Sequence, residues 1–117
     1  MKLIIAGSRT FNDYNLMKSC LDPILSLVDE DIEIISGRAK GADQLGEKYA
    51  MEYGYELKLF PADWDQFGKR AGYLRNLEMA EYGTHCICFW DGKSHGTKMM
   101  IELAQLKGLH LKIVNYV

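Results

Sequence analysis

Apolar positions along the chain follow two alternating patterns. Short, nearly continuous apolar runs occur at Lys2–Ala6, Ile32–Ser36, Tyr55–Phe60, Thr84–Trp90 and Leu109–Val114. Gly7, Gly37 and Pro61 stop the first three. Runs of this length and continuity predict strands covered on both faces. Between them the apolar period lengthens. Over Tyr14–Val28 the positions Leu16, Met17, Cys20, Leu21, Ile24, Leu25 and Val28 recur at spacings of three and four, which is one stripe of a helix with Asn12 or Asp13 as N-cap. Pro23 falls on the opposite face with Ser19 and Ser26. It predicts a kink or a break, because it removes a hydrogen bond and crowds the preceding turn. Further helices are predicted over Ala42–Tyr53 (closed by Gly54), Gly72–Tyr82 (before Gly83) and Thr97–Lys107 (closed by Gly108). Ala62–Lys69 has neither period and reads as irregular.

Strands alternating with helices predict an α/β, doubly wound, five-stranded parallel sheet with helices on both faces. The expected strand order is 3-2-1-4-5, in one domain spanning residues 1–117. Length and composition agree: 117 residues, 48% of them hydrophobic, suffice for one core. The formal charge of -2 disfavours a protein that coats nucleic acid or an anionic membrane. No apolar run reaches the ~18 residues of a membrane span, and the run before Gly7 is too short for a secretory signal, so the expected location is cytoplasmic. The three cysteines, Cys20, Cys86 and Cys88, do not form a disulfide framework; Cys86 and Cys88 share one strand face and read as small buried hydrophobes. Neither a metal nor a cofactor is expected.

Candidate chemistry gathers where strands end. In open parallel sheets ligands bind beyond the carboxyl ends of the strands, at the point where strand order reverses. The loops there read AGSRTFNDY, SGRAKGAD, PADWDQFGKRAGYLRN and WDGKSHGT. All four arginines of the chain, Arg9, Arg38, Arg70 and Arg75, lie in or just after these loops. Glycine lets backbone amides approach a ligand, helix N-termini offer unpaired amides, and arginine grips phosphate with paired bonds. The candidate anion-binding residues are therefore Gly7, Ser8, Arg9, Gly37, Lys40, Gly41, Lys69, Arg75, Ser94, Gly96 and Thr97. Gly92 belongs to the same loop as Ser94. Asp43, at a helix start, is a cap or a ligand contact. Trp90 and Trp64 are the aromatic surfaces on which a base could stack, with core packing and loop anchoring as their plain structural alternatives. His95 is the one histidine in a candidate site. Met79, Met99 and Met100 follow helical spacing and read as core. None of these loops matches the phosphate-loop or dinucleotide-binding glycine patterns, which disfavours an ordinary ATPase or dehydrogenase.

AGSRTF, SGRAKGAD, PADW, GKRAGYLRNLEM and FWDGKSHGTKMMIELA, in that order, resemble the YspA-type branch of the SLOG superfamily. The resemblance implies a Rossmann-like sheet and a nucleotide or nucleotide-derivative ligand, ADP-ribose-like molecules among them. Related families are the Lonely Guy phosphoribohydrolases and the DprA single-strand binders. Against the Lonely Guy pattern, Arg75 and Met79 fit the Arg and the Met four residues on. Gly92, Gly96 and Thr97 fit the loop Pro-Gly-Gly-x-Gly-Thr-x-x-Glu, although the loop here is one residue longer and begins with Asp91. The catalytic Glu position is Met100. Glu102 lies two residues further, roughly 200° round the helix, and points away. Cleaving an N-glycosidic bond calls for a carboxylate near the ribose, so the expected role is binding, as sensor, carrier or sponge. A phosphoribohydrolase-like hydrolase is the alternative, with Asp91 or Asp43 as substitute acid. The phosphate is expected on the Gly92–Thr97 loop, with Gly7, Ser8 and Arg9 opposite, Arg75 and Lys69 adding charge, Gly41 and Asp43 on the sugar side and Trp90 at the base. Tyr73, Leu74, Leu77 and Met79 are expected to offer an apolar helix face to a homodimer.

Overall fold

A computed structural model describes all 117 residues. The five apolar runs pair as strands β1 (Lys2–Gly7), β2 (Glu33–Ser36), β3 (Glu56–Leu59), β4 (His85–Trp90) and β5 (His110–Asn115). All are parallel, in the order β3-β2-β1-β4-β5. Alternate residues of β1 serve opposite faces, as the strand period requires. Leu3 and Ile5 join Ile34, Ile87 and Phe89 on one side, against helices α1 (Tyr14–Leu25) and α2 (Ala42–Tyr53). Ile4 and Ala6 join Ile35, Cys86 and Cys88 on the other, against α4 (Ala71–Tyr82) and α5 (His95–Leu106). Two cores, one on each face, explain why the inner strands β1 and β4 carry apolar residues continuously. Cys86 and Cys88 are free and buried. No helix is long and apolar enough to cross a membrane.

Three local expectations need correction. Helix α1 runs through Pro23 and ends at Leu25, short of Val28. Pro23 lies in its last turn, where the missing N–H removes only one bond, and the chain then tightens: Leu27 and Val28 bond to carbonyls three residues back. Ala62–Lys69 is not irregular. Asp63 accepts a hydrogen bond from Gln66 N at 3.1 Å and caps the short helix α3 (Trp64–Phe67), and a 3-10 turn over Gly68–Arg70 leads into α4. Helix α5 starts two residues early, at His95, because Ser94 caps it.

The helix face proposed for a homodimer is not continuous either. Met79 is in the core, Leu74 and Leu77 are half-buried, and only Tyr73 projects.

Order reversal falls between β1 and β4. They are held side by side by the pairing of Gly7 with Phe89 and by a hydrogen bond from Ser8 N to Phe89 O at 2.9 Å. The carboxyl ends of these two strands open onto the loops that carry the candidate residues.

Candidate functional site

Those loops enclose a cavity of about 390 Å3 at the carboxyl edge of the sheet. Gly7, Arg9 and Thr10 enter it from the end of β1, and Ala39 and Asp43 from the β2 loop and the start of α2. Arg75, Asn76 and Met79 come from α4; Asp91, Ser94, His95, Gly96, Thr97 and Met100 come from the β4 loop and α5. A second cavity of about 350 Å3 adjoins it, sharing Arg9, Ala39 and Arg75 and extending along Gly37, Arg38, Pro61, Ala62 and Trp64. At the other end of the strands a smaller hollow of about 150 Å3, between α1 and β4–β5, has mostly apolar walls, with His85, His110 and Lys112 at its edge.

The β4 loop is built by its own side chains. Asp91 accepts from Lys93 N and Ser94 N, both at 2.8 Å. These backbone N–H groups hold its carboxyl below the usual carboxylate range. Ser94 then accepts from Thr97 N at 3.3 Å, donates to the Thr97 hydroxyl at 2.9 Å, and caps α5. The amides of His95 and Gly96 have no acceptor in the protein, so the start of α5 presents two free N–H groups at the cavity. Ser94→Ala should cost about 1 kcal/mol of stability through loss of the cap. A urea midpoint indistinguishable from wild type would show that the cap is idle.

Across the cavity, Arg75 Nη1 donates to Gly37 O and its Nε donates to Asn76 Oδ1 at 2.9 Å. Asn76 in turn reaches Gly96 O at 3.4 Å, linking α4 to the start of α5. Burial lowers the Arg75 pKa; Asp43 opposes this and the nearby Arg9 charge reinforces it. The ion pairs of the protein are Met1–Glu30, Arg38–Glu47 and Lys107–Glu81, so neither Arg9 nor Arg75 is tied to a carboxylate. Asp43 is 4% exposed and accepts from Ala39 N at 3.2 Å. Burial raises its pKa from 3.8 to about 6, against the pull of that N–H and of Arg75.

The family model for YspA, cpYpsA-related SLOG proteins matches residues 1–67, which hold β1 to α3 and with them Gly7, Arg9, Gly37 and Asp43. The chain belongs to this SLOG family. The gene 61 protein of Mycobacterium phage D29 is 31% identical over 121 residues, covering 98% of this chain and 95% of that protein. No solved structure matches the chain.

In this SLOG chain the candidate residues sort by position. Gly7, Arg9, Asp43, Arg75, Ser94, Gly96 and Thr97 share the larger cavity, and Gly37 lines the adjoining one. Ser8 is buried, its hydroxyl accepting from Asp91 N at 3.1 Å, and it ties the β1 and β4 loops together without entering the cavity. Gly41 packs behind Ser8 and Arg9. Trp90 lines neither cavity: its indole N–H donates to Ser94 O at 3.1 Å and the ring packs on the α4–α5 core. Lys69 and Gly92 are exposed and line neither cavity. Lys40 is exposed too.

Thr10, Ala39 and Asn76 line the larger cavity without having been singled out from the sequence. Asn76 was the most findable, standing beside Arg75 on one helix; Ala39 carries no chemical signal. Met79 and Met100, read as core, are buried and also form part of the cavity wall. Glu102, two residues after Met100 on α5, is exposed and lines neither cavity.

Proposed function

We propose that this protein binds a nucleotide or nucleotide derivative, its phosphate resting against the His95 and Gly96 amides and gripped by Arg75 and Arg9. The observation that carries the reading is an imbalance of charge. Two guanidiniums without carboxylate partners face one cavity with free helix-start amides, and the one deeply buried acid there, Asp43, is itself pushed toward its neutral form. An anionic group would satisfy these donors together. Thr97 offers its hydroxyl at the same point, and Gly7 leaves the sheet edge free of a side chain. Lys69 acts only at a distance. Such a protein serves as sensor, carrier or sponge for its ligand.

Arg75→Ala should weaken binding of AMP or ADP-ribose tenfold to a hundredfold, about 1.5–3 kcal/mol for one charge-assisted contact. Calorimetric titration measures it, and unchanged affinity would place the ligand elsewhere. Mass spectrometry of small molecules that co-purify with the protein would identify the natural ligand.

A second reading, hydrolysis of an N-glycosidic bond, is favoured by one observation: Asp43 lines the cavity with a pKa of about 6, suited to proton transfer near neutrality. The absence of a carboxylate at Met100 weighs against it. Incubation with AMP or ADP-ribose followed by chromatography separates the two readings, because sustained release of free base or ribose phosphate belongs only to the enzyme.

A further inference from the structure

Resting on the phosphate-binding reading, we infer that the adjoining cavity is the base subsite of the same ligand and that Trp64, not Trp90, is the ring on which the base stacks. The two cavities meet at Arg9, Ala39 and Arg75, so a molecule anchored at the start of α5 can pass between them without leaving the protein surface. At the shared point stand two arginines, Arg9 and Arg75, that lack carboxylate partners. Beyond it the chemistry changes from amide and hydroxyl donors to a flatter wall of Pro61, Ala62 and Trp64.

Trp64 is 52% exposed, an unusual position for the largest side chain. It is not loose. Asp63 caps the short helix that starts with it, and the far edge of its indole lies where a Cβ on Gly72 would come within 3.4 Å, so the ring leans on the start of α4. Trp90, by contrast, has its N–H engaged by Ser94 O and its ring in the core.

The other wall is Arg38. It is the one non-glycine residue with positive φ, at 66°. It is held there by its own N–H on Ser36 Oγ at 3.0 Å and by its guanidinium on Glu47 at 3.5 Å. A backbone conformation that side chains avoid is retained where surrounding contacts enforce it. Arg38 lines the cavity together with Trp64, while its Nε faces Glu47 on α2. Aromatic faces and arginine planes are the surfaces that take up a nucleobase without hydrogen-bond readout. The ligand class is therefore a base-bearing nucleotide lying across both cavities, with the phosphate at α5 in the grip of Arg75 and Arg9, the sugar passing Ala39 where the cavities meet, and the base on Trp64.

The test compares AMP and ADP-ribose with ribose 5-phosphate, which carries a sugar phosphate and no base. Wild-type protein should bind both base-bearing probes at least about tenfold more tightly than ribose 5-phosphate, since stacking on an aromatic ring contributes on this scale. Trp64→Ala should reduce AMP and ADP-ribose to the level of ribose 5-phosphate while leaving ribose 5-phosphate unchanged, and Trp64→Phe should restore most of the loss. Equal affinity for all three probes in wild type, or no loss in Trp64→Ala, overturns the base subsite and leaves the phosphate reading standing. If none of the three binds, both fall. Circular dichroism of each variant separates loss of stacking from loss of fold, and an unfolded Trp64→Ala leaves the decision to the wild-type comparison and Trp64→Phe.

Discussion

Alanine in place of Gly41 should lower the stability of the fold by about 3 kcal/mol or more, read from urea midpoints. Gly41 has φ of 80° and ψ of -124°, a conformation that side chains rarely adopt. A Cβ there would stand 2.4 Å from Ser8 O and 2.6 Å from Arg9 O. Both obstacles are backbone, so neither can swing aside. The loop after β1 would have to lift, and it is pinned: Ser8 O already accepts from Phe11 N at 3.1 Å and Ala42 N at 3.4 Å, and Ser8 Oγ from Asp91 N. Lifting it also moves Arg9 away from Arg75, so AMP affinity should fall in whatever fraction remains folded. Gly108→Ala is the matching control. Its φ is 72° with nothing within 4 Å of the added carbon, so it should lose only about 1 kcal/mol. Equal losses in the two variants would mean that backbone strain alone matters at Gly41 and that the loops are not in contact there.

The same loops show where sequence reasoning works and where it stops. Element types were legible because the inner strands β1 and β4 are continuous apolar runs covered on both faces, and helix and strand periods are hard to confuse over these lengths; the edge strands β3 and β5 are largely exposed and carry a weaker pattern. That the loops after β1, β2 and β4 meet followed from the strand-order reversal. Which of their side chains turn into the cavity did not. Ser8 and Arg9 are adjacent and chemically both plausible, yet Ser8 is consumed by Asp91, 83 positions away in sequence. Trp90 turns away because its indole finds Ser94 O inside its own loop. Such choices are made by tertiary hydrogen bonds with no local signature. The boundary errors have a similar origin. Ser94 followed by His95 and Gly96 looks like loop until its hydroxyl is seen capping α5, and the short helix after Asp63 is too brief to show a period.

Asp43→Asn should widen the stability gap over wild type, in favour of the variant, by about 2 kcal/mol between pH 4 and pH 8. In the folded protein the carboxyl titrates at about 6, against an ordinary value of 3.8. The folded state therefore holds this proton more tightly than the unfolded chain does. The resulting stabilisation is fully present below about pH 3.8 and is lost as pH rises through 6. Above that, the fold carries an ionised carboxylate that burial disfavours. Asparagine does not titrate and keeps an oxygen for Ala39 N–H, so the difference between the two proteins isolates this one group. Parallel stability curves would mean that Asp43 ionises in the ordinary range. The same proton bears on the ligand. ADP-ribose is the right probe, since its diphosphate stays ionised across this interval whereas the phosphate of AMP titrates within it. As Asp43 becomes neutral the cavity keeps only the Asp91 carboxylate as an opposing charge, and Arg75 loses a competitor for its attention. ADP-ribose should then bind wild-type protein more tightly as pH falls through 6, and Asp43→Asn, in a cavity that still holds His95, should show a smaller change over the same range. The acid is destabilising where it sits and repels the proposed guest, and its place beside Arg75 is best understood as a brake on anion affinity that the guest must overcome.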